Sequence, residues 1–375
     1  MSQQSKLQRR EPKLNKPKAM LWQVAIISII ALVSLASGCP QKTNGNVYVA
    51  GYVNNAEGRG VATLWRNGRV HKRLSDGKYD GRAHYVFVSG ADVYVAGREK
   101  NAQGNFVATI WKNGETHQRL SDGKQSAVAQ SVFVSEGSVY AAGAETNAEG
   151  CLVATLWKNG KVHHRLADGK YHSEANGVFV SGADVYVAGI EGNEKGNNVA
   201  TLWKNGSVYR RLSDGELSTN VFSLFASGND VYVAGGEVNP LNEDEHNEGA
   251  IPSGVAIIWK NGEIPVRLSD GKRMACANSV FVNGADVYAA GYEYNEENFG
   301  LVTLWKNGKL FKRLSEGKQW ASAYSVYVSG DDVYAAGHVY NFKGRPVATL
   351  WKNGKVFKKL SDGDYTGYAH SVFVK

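Results

Sequence analysis

Cysteine is scarce: three in 375 residues, too few for a disulfide framework. Net positive charge is scarce as well once its location is counted. The formal charge is +8, but residues 1–20 hold Lys6, Arg9, Arg10, Lys13, Lys16 and Lys18 against Glu11, a net +5, which leaves 8 − 5 = +3 for the rest of the chain. No basic patch able to neutralise phosphates follows from that, and no nucleic-acid partner is expected. Long apolar runs are missing too, with one exception. Leu21 to Cys39 reads LWQVAIISIIALVSLASGC, and its apolar core is short of the roughly 20 residues of a membrane span. What the chain does have is a 43% hydrophobic share and 43 glycines. That is enough for a large core and excludes a disordered chain.

The N-terminal pattern has the parts of a secretory signal: a basic segment, an apolar stretch, then small residues. Its ending, Leu35-Ala36-Ser37-Gly38-Cys39, resembles a bacterial lipobox, with Ala36 where that family usually has leucine and Leu35 one place earlier. The resemblance implies an export signal over 1–38 and an acylated (palmitate-bearing) Cys39. It also implies a tether over 39–46 and attachment to a bacterial envelope membrane, at the outer membrane or cell surface, without spanning it. The alternative is an ordinary signal peptide or an uncleaved anchor.

Self-similarity governs residues 47–375. Tryptophans recur in a Trp-Lys/Arg-Asn-Gly motif at Trp65, Trp111, Trp157, Trp203, Trp259, Trp305 and Trp351, spaced 46 residues apart except for 56 between Trp203 and Trp259. Each unit reads as four short strands, SVFV, DVYVAG, VATLWKNG and KVxxRLSDG, and Asn-Gly is a strong hairpin signal because both residues tolerate positive φ. Four strands per unit of this length is the pattern of a propeller blade. The chain enters the repeat at its second strand, Val47–Gly51, and leaves on its first, Ser371–Val374. The two remainders make one whole unit, so the prediction is an all-β, seven-bladed ring in which the C-terminal strand completes blade 1. Lys72, Arg73, Arg210, Arg211 and Pro265 mark the fourth strand as the outer edge, where charge and proline are tolerated, and SVFV as the strand lining the channel. The repeats resemble uncharacterised bacterial β-propeller lipoproteins and, more loosely, kelch repeats, whose paired glycines occur here only at Gly235-Gly236.

Strand alternation places the monotonous Ser-Gly-Ala-Asp and Lys-Asn-Gly turns on one face of the ring. The loops after Ser-Asp-Gly and after Val-Tyr-Val-Ala-Gly fall on the other face, and these vary. Variable loops on a constant scaffold are where binding chemistry is expected. Aromatics concentrate there in an arc across blades 6, 7 and 1: Trp320, Tyr324, Tyr365, Tyr368, His370, Tyr79, Arg82, His84, Tyr292, His338 and Tyr52, with Tyr294, Phe299, Tyr340 and Phe342 on the same face. Rings and arginine supply large, rigid contact area. The blade 2–3 loop offers only Gln125, Ser126, Val128 and Gln130. The ten-residue insertion within Val238–Gly254 carries Glu243, Asp244, Glu245, His246 and Glu248 and reads as a solvated acidic loop.

Catalytic signals are poor. The Ser-Asp-Gly triplets and the loop asparagines from Asn55 to Asn341 recur blade after blade, which is turn chemistry. His84 and His370 alone make an incomplete metal site, and no cofactor is expected. The expectation is a monomeric, non-enzymatic, lipid-anchored module that recognises an extracytoplasmic protein, peptide or glycan. The alternatives are an enzyme using His84, His370 and Glu174 in the funnel, or an envelope-assembly scaffold.

Overall fold

The computed structural model describes residues 45–238 and 253–375. The basic and apolar leader, Cys39, and the acidic residues of the blade 5 insertion lie outside the described residues. Seven four-stranded antiparallel sheets form the ring, each ordered inner, second, third, outer. The inner strand of blade 1 is Gly367–Val374, paired antiparallel with Val47–Asn54. The ring is therefore closed by the C-terminal strand, as the split repeat predicts.

Local chemistry explains why each unit takes this shape. Asn67 (φ 52°) and Gly68 (φ 76°) both occupy the left-handed region between the third and outer strands, which matches the twist of a tight hairpin. The Asn67 Oδ1 also accepts a 2.8 Å hydrogen bond from Val47 N, tying this turn to the start of the neighbouring strand. The Trp of each third strand is buried against the preceding blade: Trp65 packs with Leu350 and Leu360, and its Nε1 donates to the Leu360 carbonyl. Outer strands such as Arg69–Arg73 are exposed along their whole length, as expected of an edge protected by charge.

Repeated polar residues turn out to be fasteners. The Nδ2 of Asn55 donates to Gly77 O at 3.0 Å, and the same bond recurs from Asn101, Asn147, Asn193, Asn295 and Asn341. Asp76 Oδ1 accepts from Lys78 N within its own turn. Glu99, Glu145, Glu191, Glu237 and Glu293 each pair with the arginine ending their blade's outer strand. Each of these repeated groups is engaged in a turn or an ion pair.

Adjacent inner strands are stitched in the same way. Ser325 Oγ accepts from Val372 N, and Ser371 Oγ accepts from Val86 N. Asn46 belongs to the propeller: its carbonyl accepts from Lys375 N, and its Oδ1 accepts from Arg66 Nε. The chain thus enters the ring on the face of the tight turns.

Candidate functional site

Each inner strand loses its regular pairing at one residue. The register shifts between Ala83 and Tyr85, and at the equivalent place in every other blade. A bulge leaves one residue unpaired and re-aims its side chain. Here the seven bulged residues are His84, Gln130, Asn176, Phe222, Asn278, Tyr324 and His370, and all of them line one central cavity of about 580 Å³. The glycine of Val-Tyr-Val-Ala-Gly is the counterpart of this device. A Cβ on Gly97 would collide with the carbonyl oxygen of Arg82, pushed towards it by the bulge, and the same holds at Gly51, Gly189 and Gly337.

Below the bulges, towards the tight turns, Phe87, Phe133, Phe179, Phe225, Phe281, Tyr327 and Phe373 form an unbroken collar with neighbouring centroids 4.5–5.4 Å apart. Constant rings thus form the floor of the funnel, and variable side chains form its wall.

Above the bulges, the predicted arc is largely a single cluster. Trp320, His338 and Tyr324 stack in that order, with centroids 5.8 and 5.4 Å apart and interplanar angles near 20°. Tyr292 meets Trp320 at 5.7 Å, and Tyr368 meets His338 at 4.8 Å. Tyr324 meets His370 edge-on at 5.3 Å, and His370 stacks on His84 at 5.4 Å. Tyr52 contacts Tyr368 and His370 and carries the Arg82 guanidinium over its face at 4.8 Å. Two predicted members lie apart: Tyr365 is 42% exposed, and Tyr79 meets Lys78 rather than the arc. Phe342, at 99% exposed, also stays out of it. Tyr294 and Tyr340 join through Trp320.

Burial sets the electrostatics. It lowers His338 to about 3 and His370 to about 4, with Arg82 and Arg98 adding to the second shift. His84 is pushed well below its ordinary value by burial and by His370 and the two arginines. Neutral imidazoles therefore face the funnel at pH 7. His338 is 1% exposed, and neither ring nitrogen has a hydrogen-bond partner among the described residues. Burial raises Glu174, two blades further round the cavity wall, and the Tyr324, Tyr368 and Tyr292 hydroxyls. Among the described residues, no three His, Cys, Asp or Glu side chains are grouped to hold a metal ion.

Several wall residues escape a reading based on loops, namely Gln130, Asn176, Phe222 and Asn278. A signal for them was present. Ala83 and Val86 are equally repetitive positions and both are buried, yet they are three apart, and an odd interval breaks period-two alternation and marks a bulge.

No protein-family model and no curated protein sequence matches the chain. Solved structures do resemble it. One is a puromycin-hydrolyzing peptidase of Mycobacterium tuberculosis, 10% identical, covering 87% of this chain and 54% of that one with a TM-score of 0.51. Another is the β-propeller domain of the Trilobed protease from Pyrococcus furiosus, 14% identical, covering 84% and 95% with a TM-score of 0.43. At such identities the likeness is one of fold, and the fold is the seven-bladed β-propeller.

Proposed function

We propose that this propeller is a ligand-binding module whose site is the funnel and the aromatic arc above it. The observation that carries the reading is the ring of bulges: one backbone device per blade delivers seven side chains, mostly different, to one cavity. A scaffold that repeats everything else and varies the wall of its cavity is built to recognise. Pockets of about 300–1,000 Å³ suit a small molecule or the end of a peptide or glycan chain. An enzymatic reading is less well supported by the electrostatics, in which burial moves Glu174 upward but His370 and His338 downward. A general acid or base works best with a pKa near the operating pH, and His370 and His338, at about 4 and 3, are far from it.

Filling the cavity tests the reading. Gln130 lines it at a bulge position where other blades already carry Tyr324 or Phe222, so a large ring is compatible with the backbone there. Gln130→Trp is expected to weaken binding of envelope-derived peptides or glycans, followed by native mass spectrometry, about tenfold or more, with an unchanged melt. Full binding by this variant would refute a site in the funnel.

The module is further proposed to be exported and acyl-anchored at Cys39 in a bacterial envelope. Asn46 lies beside the tight turns, and the few residues between it and Cys39 reach at most about 3.5 Å each. Cys39→Ala is expected to move the protein to the soluble fraction; a variant that stays membrane-bound and is processed normally would exclude lipidation.

A further inference from the structure

Blade 2 opposes two like charges. Arg82 and Arg98 are direct cross-strand partners, an arrangement that destabilises a sheet. The equivalent pairs elsewhere carry no such conflict: Val128 faces Ala144, and Tyr368 faces Tyr52. The Arg98 guanidinium lies 4.2 Å from the Phe106 ring centroid, with Lys100 Nζ over the same ring at 5.4 Å. Asp80 pairs with Arg82 at 3.1 Å. Among the described residues, Arg98 and Lys100 have no ion-pair partner, and Arg98 Nε is buried without a hydrogen-bond acceptor. Two guanidinium groups thus share one closely paired carboxylate, Asp80, and their field reaches His84 and His370 on the cavity wall.

An anion between the two guanidinium groups would relieve the repulsion and engage a planar donor fork whose shape matches a carboxylate. Beside it, the rings of His370 and Tyr324 line the cavity. We propose that the funnel binds a ring-bearing carboxylic acid, its carboxylate held by Arg82 and Arg98 and its ring against His370 and Tyr324. Glu174, two blades further round the cavity wall, feels the Arg98 charge and sets the polarity, because a ligand carboxylate is repelled from its side and drawn to the two arginines. This inference rests on the binding-module reading and narrows it to a charge and a shape. The ring can be that of a sugar acid or of an aromatic acid, since both present a flat face to aromatic side chains.

Calorimetry on the full-length chain, with two matched pairs of probes, tests it. The pairs are D-glucuronate against D-glucose, and phenylacetate against 2-phenylethanol; the pair that responds identifies the source of the ring. At least one acid is expected to bind about tenfold or more tightly than its neutral counterpart. Arg98→Gln is expected to abolish that preference, and Arg98→Lys to keep part of it. The unliganded Arg98→Gln protein is expected to melt no lower than wild type, because an opposed charge has been removed. A purely structural arginine would instead lower the melt and leave the preference intact. Equal binding of acids and neutral probes, or no saturable binding of either acid, overturns the inference. Neutral probes that bind as tightly as the acids and are lost in Gln130→Trp would overturn it while leaving the funnel reading standing. Binding of every probe unaffected by Gln130→Trp would instead remove the funnel reading itself.

Discussion

Deleting Ser371–Lys375 is expected to lower the melting temperature by on the order of 10 °C or more and to broaden the transition. These few residues hold the ring shut. Val372 and Val374 are buried, and Ser371–Val374 pairs residue by residue with Val47–Ala50. Their removal bares the inner edge of Val47–Ala50. It also removes two hydrogen bonds between blades, Ser371 Oγ to Val86 N and Val372 N to Ser325 Oγ. Phe373 leaves the collar, where it touches Tyr327 at 4.8 Å and Phe87 at 5.4 Å. Losing two buried valines and a phenylalanine costs on the order of 5 kcal/mol, comparable with the whole stability of many domains. Scanning calorimetry on wild type and the deletion decides the matter. Coincident transitions would mean that the ring does not depend on this strand for closure.

The architecture was legible because it is written seven times. A single Trp-Lys-Asn-Gly motif is weak; the same motif at a constant interval, with a second strand at the start and a first strand at the end, leaves a closed ring as the economical solution. Asn67-Gly68 has the positive φ values that its composition demands, and the recurrent Asn55 and Glu99 positions proved to be fasteners. The face carrying the arc was legible for the same reason, since strand alternation assigns loops to ends without any knowledge of packing.

The interior of the site was harder to see. Gln130 reads as an unremarkable loop residue on the aromatic-poor side, and only the bulge turns it into the cavity. Tyr365 and Tyr368 look equivalent by composition, yet Tyr368 follows Gly367 into the strand and meets His338, whereas Tyr365 precedes it and stays exposed. Residue type locates an aromatic patch to within a loop; the backbone decides which rings touch. The Arg82 and Arg98 opposition needs strand register, which depends on the bulge again.

Trp320→Ala combined with Tyr324→Ala is expected to weaken ligand capture about tenfold or more, since truncating a buried aromatic anchor typically costs about 2 kcal/mol or more. These two rings cover opposite faces of His338, and Tyr324 also lines the cavity, so their loss dismantles the arc at its centre. Exposed Gln125 is the appropriate control; Gln130 is unsuitable because it lines the cavity. The double variant has a second signature, independent of any ligand. Burial is the first cause of the low His338 pKa of about 3, so stripping both covering rings should return it towards the ordinary imidazole value near 6.5. An NMR pH titration of the His338 ring reads this directly. Trp320→Phe with Tyr324→Phe keeps the stack and should keep both the depressed titration and most of the binding. If the alanine variant folds, shows His338 titrating near its ordinary value and still captures ligand as wild type does, then the arc is a cap on the propeller rather than its recognition surface.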